Sequence, residues 1–282
     1  MRDPRAVLAR PDIAHLELRG RVPSRRFASG ALHRVSVPVA NLHTDETSDR
    51  IARQSLFGHA VRALPTDHPT RAFVQDIAMG YVGYMARAAL GPWGGAVTHR
   101  VRVRRTLVYG APDMKTPPLM ALPFGAQITM AEPSAPFSRT AQGTYVVSDH
   151  LSPLDIHETD PVAVAHGFLD APYLWGGNSP DGVDCSGLVQ AGLSACGLPC
   201  PGDSDQQQAA LGPRLPPQTP KQRGDLLFWR GHVAWVVDAQ TLLHANAHHM
   251  AVAHEPIETA ILRIAAQGDG PMTAHIRPEV PR

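Results

Sequence analysis

Long apolar runs, cysteine and net charge are all scarce in this chain, and each shortage excludes something. No stretch of the 282 residues approaches the roughly 18 apolar residues that a bilayer-crossing helix needs, so no membrane span is expected. The opening Met1-Arg2-Asp3-Pro4-Arg5 lacks the apolar core of about 7–15 residues found in secretory signals, and the expectation is a cytoplasmic protein. Three cysteines, an odd number, do not suggest a disulfide framework; a reducing compartment would keep them as thiols. A formal net charge of +1 gives no general attraction to nucleic acid or to an anionic membrane. Seven arginines against three acids within residues 1–30 read as a solvated arm rather than a binding tail. Metal motifs are also missing. Cys196 and Cys200 lack the paired spacing of a zinc site and read as packing residues. The fifteen histidines include no His-Glu-x-x-His pattern, although His244, His248 and His249 could cluster by accident. Neither metal nor cofactor is expected.

What is present changes character along the chain. The length suits two or three domains. After the arm (1–30), short apolar runs broken by Pro, Gly and Asp occupy 31–92: Arg34 to Val39, Gln54 to Val61, Gly80 to Met85. A similar set fills 96–150, with Thr98 to Arg104, a long loop, Phe124 to Met130, and Gly143 to Val147. Both sets read as small all-β barrels. Residues 152–282 follow another pattern, helices first and strands second, which indicates an α+β domain. Asp160-Pro161 is a helix start, and Pro172 is the expected end. A second helix is expected from Cys185 to Gly197 and Pro199, and a third, short one after Asp203-Ser204. Strands are expected from Gly224, and then over 232–238, 241–247 and 249–255.

The chemistry-bearing residues sit in that last segment. Cys185 lies where the Gly-rich loop Trp175-Gly176-Gly177-Asn178 turns into an apolar helix, and His232 opens a strand 47 residues later. A thiol attacks carbonyls as the thiolate, so it needs a lowered pKa or a base. A helix start favours the anion, and a strand histidine can take the proton. Backbone N–H groups at the same helix start suit an oxyanion. Alternation puts His232 on one face with Ala234 and Val236. A hairpin around Asp238-Ala239-Gln240-Thr241 would then set His244 beside His232 as the orienting group, with His248, His249 and His254 as weaker rivals. Trp175, Trp229 and Trp235 read as core or cleft walls.

Six short motifs carry a family resemblance: Tyr173-Leu174-Trp175-Gly176-Gly177, Asp184-Cys185-Ser186-Gly187-Leu188-Val189, Gly202-Asp203-Ser204-Asp205-Gln206-Gln207, Gly224-Asp225-Leu226-Leu227-Phe228-Trp229, Gly231-His232-Val233-Ala234, and Leu243-His244-Ala245. Each is weak alone; their order and spacing together resemble the NlpC-type bacterial cell-wall cysteine peptidases, a papain-like family. The resemblance is strong over 160–255 and looser before 150, where the chain looks like the subgroup carrying two bacterial SH3-type barrels. It implies a multidomain fold, two small all-β SH3-like barrels followed by an α+β papain-like cysteine peptidase domain. It also implies cleavage of the γ-D-glutamyl-diamino acid bond in peptidoglycan stem peptides with a free N-terminal L-Ala, in murein peptide recycling.

By the same resemblance Cys185 is the nucleophile, His232 the base and His244 the orienting residue. Tyr173 lies near the oxyanion site, Asp184, Ser186 and Asp203 line the substrate pocket, and Asp203 is suited to the substrate's ammonium. A tyrosine of the first barrel closes that pocket: Tyr81, with Tyr84 as the alternative. The partners implied are peptidoglycan-derived peptides, and nothing in the sequence assigns an oligomeric state. Two other readings use the same residues: an amidase or acyltransferase working through the same thioester, and a non-catalytic wall-peptide binding protein.

Overall fold

The computed structural model describes residues 3–279, which form two compact units on either side of the Ile156–His157 bond. The first unit is almost entirely β. Seven antiparallel strands lie in the spatial order Ile51–Leu56, Val39–His43, Val82–Ala86, Arg71–Asp76, Ala60–Leu64, Ala31–Val35, Leu90–Gly91. Alternate residues Leu42, Val61, Val74 and Met85 turn into one apolar core. The N-terminal segment lies on this sheet. Leu8 and Ile13 are buried against Leu64 and Phe73, because their side chains cover apolar surface that this sheet would otherwise expose.

The rest of this unit holds a five-stranded sheet, in the order Pro118–Pro123, Arg105–Tyr109, Tyr145–Val147, Phe137–Thr140, Met130–Glu132, and a three-stranded one of Gln127–Ile128, His99–Val101 and Leu151–Pro153. The long loop expected after Arg104 therefore contains two strands. Pro117, Pro118 and Pro123 at their margins hide them from a reading based on proline as a breaker. Among the described residues neither half closes into a hydrogen-bonded ring. The two-residue edge strand Leu90–Gly91 pairs with Arg34 and Val35 and makes no ladder with Ile51–Leu56 at the other end of its sheet. The closed SH3-like barrels expected from the sequence are not reproduced as such.

The second unit begins with helix α1 (Pro161–His166), whose N-cap Asp160 accepts from the N–H groups of Val162 and Ala163 at 2.9 and 3.1 Å. It ends six residues before Pro172. Past Gly167 the chain turns, and Asp170 takes the left-handed conformation (φ 64°), so Phe168 is buried from the turn rather than from the helix. Helix α2 (Cys185–Ala195) ends as its sequence predicts, on left-handed Gly197 (φ 77°) with Leu198 N–H on Leu193 O at 3.0 Å. Cys196 and Cys200 are buried beside this end. Helix α3 spans Ser204–Ala210.

A five-stranded antiparallel sheet follows: β1 (Leu226–Trp229), β2 (His232–Val236), β3 (Thr241–Asn246), β4 (Ala251–Pro256) and β5 (Ala274–Ile276), in the order β4-β3-β2-β1-β5. Helix α4 (Ile257–Ile264) seats Ile257, Ala260 and Ile264 on Leu227, Ala234, Val236 and Leu242. Neither α4 nor β5 was expected from the sequence. Helix α2 packs on the other face, where Gly192 lets it come close to Trp235.

Space at the start of α2 is equally tight. A Cβ at Gly187 would lie 2.2 Å from the carbonyl oxygen of Gly177 and 2.7 Å from Asn178 Oδ1. Gly187→Ala is therefore expected to destabilise the protein by about 1–3 kcal/mol, the usual range for overpacking, in urea unfolding. An unchanged midpoint would contradict this close approach.

Candidate active site

One carboxylate organises the start of α2. Asp184 is its N-cap and is buried. Its Oδ1 accepts from Gly187 N–H at 2.7 Å and from the Ser186 hydroxyl at 3.0 Å, and its Oδ2 accepts from Gly176 N–H at 2.9 Å. The Trp175-Gly176-Gly177 loop is thus tied to the helix that begins at Cys185. Both Asp184 oxygens and the Ser186 hydroxyl serve this turn. Trp175 is two-thirds exposed, whereas Trp229 and Trp235 are buried.

Cys185 is the first residue of α2, where unpaired amide dipoles favour an anion. Its Sγ lies 3.9 Å from the carbonyl oxygen of Gly231, the residue before His232. The thiol therefore meets the sheet at the opening of β2. Tyr173, partly buried, enters the loop with its N–H on Met250 O at 2.9 Å. Asp203 is the N-cap of α3 in a capping box with Gln206. That helix is fastened to α2 by Gln207, whose Nε2 donates to Ser186 O and Pro201 O, each at 2.9 Å.

The hairpin expected between β2 and β3 is present, with Trp235 opposite Leu243. It sets His232 and His244 diagonally on one face, and His232 Nε2 lies 2.9 Å from His244 Nδ1. The run continues beyond what the sequence reading contained. His244 Nε2 lies 3.0 Å from Glu255 Oε2, and Arg263 of α4 reaches both Glu255 oxygens, through Nε at 2.8 Å and Nη2 at 2.7 Å. His244 is fully buried and Glu255 nearly so. The signal for Glu255 was the period of β4, which puts Ala253 and Glu255 on the His244 face and His254 on the other.

The rival histidines make other contacts. His254 stacks near His166 at 5.0 Å, His248 packs on His249 at 4.8 Å, and His249 binds Asn246. A ring nitrogen of His249, one of His244 and a carboxylate oxygen of Glu255 lie within 4.8 Å of one another, but Arg263 and His244 already engage that carboxylate. Tyr81 and Tyr84 belong to the first unit. Tyr81 is buried there with the Arg53 guanidinium 6.0 Å from its ring. Tyr84 packs on Phe73 at 5.1 Å and under Arg10.

Residues 170–264, within the second unit, match the model of the NlpC/P60 family. Among curated relatives, a γ-D-glutamyl-L-lysine dipeptidyl-peptidase of Bacillus subtilis (strain 168) is 39% identical over 87 residues, covering 28% of each chain. A protein of the same name from Bacillus cereus is 29% identical over 129 residues, covering 43% of this chain and 38% of that one. Dipeptidyl-peptidase 6 of Lysinibacillus sphaericus is 30% identical over 100 residues, 36% of each chain. The chain thus spans about a third of the length of these relatives. The crystal structure of an NlpC/P60 family protein from Bacillus cereus superposes with a TM-score of 0.74 at 18% identity, covering 89% of this chain and all of that one, a likeness of fold. No helix among the described residues is long and apolar enough to cross a membrane.

Burial is the largest influence on His232 and pushes its pKa down to about 3, with the fields of His244 and Arg263 acting the same way and Glu255 opposing. In the unfolded chain a histidine titrates near 6.5. Between these values the unfolded state binds a proton that folded His232 refuses. This contribution to stability is complete above about pH 6.5 and is lost as the pH falls towards 3. Urea unfolding from pH 7 to 4 should show that slope, and His232→Gln should flatten it; an identical slope in the variant would contradict the burial effect.

Proposed function

We propose that this protein is a cysteine peptidase of peptidoglycan stem peptides, cutting the γ-D-glutamyl-diamino acid bond of fragments with a free N-terminal L-Ala. The observation that carries the reading is the hydrogen-bonded run from His232 to His244, beside a thiol at the first residue of a helix. The names of the Bacillus relatives support the bond and the substrate class.

In this reading His232 takes the thiol proton, and Cys185 Sγ attacks the γ-carbonyl carbon of D-glutamate. The first-turn amides of α2 and Tyr173 hold the oxyanion. The C–N bond breaks, the leaving amine receives the proton from His232, and water then cleaves the thioester. His244 keeps the His232 ring in place. Asp203, partly buried and next to the start of α2 through Gln207, pairs with the peptide's ammonium, while Asp184 and Ser186 form the pocket floor by holding the loop around it. Such an enzyme recycles released murein peptides in a reducing cytoplasm, which keeps the Cys185 nucleophile as a thiol.

Mass spectrometry of L-Ala-γ-D-Glu-diaminopimelate, beside an N-acetylated copy, tests this directly. The expected result is release of L-Ala-γ-D-Glu from the free-amine peptide alone, and no product with Cys185→Ala. Asp203→Asn keeps a good N-cap but removes the charge. A charged hydrogen bond worth about 1.5–3 kcal/mol predicts a loss of roughly 10–150-fold in kcat/KM. Equal cleavage of the acetylated peptide would remove the ammonium role. No cleavage of either peptide would favour an amidase or acyltransferase on the same residues, and full turnover by Cys185→Ala would remove the thiol mechanism.

A further inference from the structure

Glu255 lies one residue beyond the groups assigned above, and it has an effect that a neutral partner could not have. An ionised carboxylate accepts hydrogen bonds and donates none. Arg263 donates to both its oxygens, at 2.8 and 2.7 Å, and arginine stays charged throughout the working range. Burial, the largest single influence on Glu255, works to raise its pKa. The hydrogen bonds from Arg263 and His244 outweigh it and hold the group well below the usual carboxylate range.

The acceptor fixes the protons along the whole run. His244 Nε2, 3.0 Å from Glu255 Oε2, must carry a hydrogen. Burial keeps His244 neutral, and the bond to Glu255 acts against that without reversing it. Its Nδ1 is then bare and accepts at 2.9 Å from His232 Nε2, which must carry a hydrogen in turn. Neutral His232 is left with a bare Nδ1. We propose that Glu255, clamped by Arg263, is a positioning residue that sets the tautomers of His244 and His232 and so makes Nδ1 of His232 the base. The inference rests on the reading of Cys185 and His232 as nucleophile and base. In the proton transfer the S–H bond of Cys185 breaks and an Nδ1–H bond forms on His232, with Nε2–H still donated to His244.

Facing this run are Trp229 of β1, whose ring is 5.8 Å from His232, Arg263 of α4, Asn246 at the end of β3 and His249 of the turn after it. None supplies a second anion against His244 Nε2. A purely structural role for the Glu255–Arg263 pair, tying α4 to β4, is the competing explanation, and a tautomer measurement separates the two. A glutamine at 255 would turn its oxygen to Arg263 and its amide N–H groups to His244. That would reverse both tautomers and put the hydrogen on Nδ1 of His232.

The experiment is 15N–1H NMR of the full chain labelled on histidine, with His232→Gln to assign the ring, beside steady-state kinetics on the free-amine peptide. In the wild type both rings should carry hydrogen on Nε2. Glu255→Gln should move it to Nδ1, with kcat falling about 10–1,000-fold and KM changing less than about twofold; loss of the carboxylate in a serine triad, one position closer to the nucleophile, costs about 10,000-fold. Hydrogen on His232 Nδ1 in the wild type would overturn the proposal. So would a Glu255→Gln protein with unchanged tautomers and kcat. If that variant does not fold, the wild-type spectrum still decides. A wild type that cleaves no peptide would remove the proposed function while leaving the tautomers readable.

Discussion

The carboxylate of Asp184 is the constraint from which the position of the thiol follows. One oxygen caps the first turn of α2 by accepting from the Gly187 N–H and the Ser186 hydroxyl, while the other accepts from the amide of Gly176. A helix start and a Gly-rich loop are thereby fixed together with Cys185 between them. Removing a cap from an ordinary helix costs about 1 kcal/mol. Here the same change would also release the loop, so its effect would reach the site as well as the stability. The glycines are part of this constraint, since Gly187 approaches the Gly177 carbonyl more closely than any Cβ would permit.

The other half of the site is built by strand order. His232 stands on the central strand, His244 on its neighbour and Glu255 on the edge strand, all on the face covered by α4. Antiparallel pairing puts the three side chains in a diagonal, each within hydrogen-bond reach of the next. Burying a carboxylate there is costly unless it is paired, and Arg263 supplies the pairing. Low polarity around the two rings keeps them neutral at ordinary pH. A neutral His232 holds a lone pair, and a thiolate beside it would provide the counter-charge that the resting thiol does not.

Local chemistry was legible in the sequence. Asp-Cys-Ser-Gly ahead of an apolar helix, left-handed Gly197 behind it, and the alternation of His232 to Val236 each describe a feature set within a few residues. What could not be read there depends on contacts between distant segments. Glu255 and Arg263 acquire their role when β4 pairs with β3 and α4 folds back over both. The strands within 105–123 form because neighbours pair with them, against the local signal of their prolines. The early end of α1 is followed by a left-handed aspartate, Asp170, rather than set by the proline further on. Asp184 read as a pocket residue; in the fold its oxygens also do the capping and tethering that any substrate role must share.

The most direct test of the account is the rate at which iodoacetamide alkylates each cysteine, followed by peptide mapping, in the wild type and in His232→Ala. The account predicts that Cys185 reacts at neutral pH far faster than Cys196 and Cys200, and that this advantage is lost without His232. Cys185 reacting no faster than the other two, or equally fast with and without His232, would contradict the claim that thiol and imidazole act as one unit.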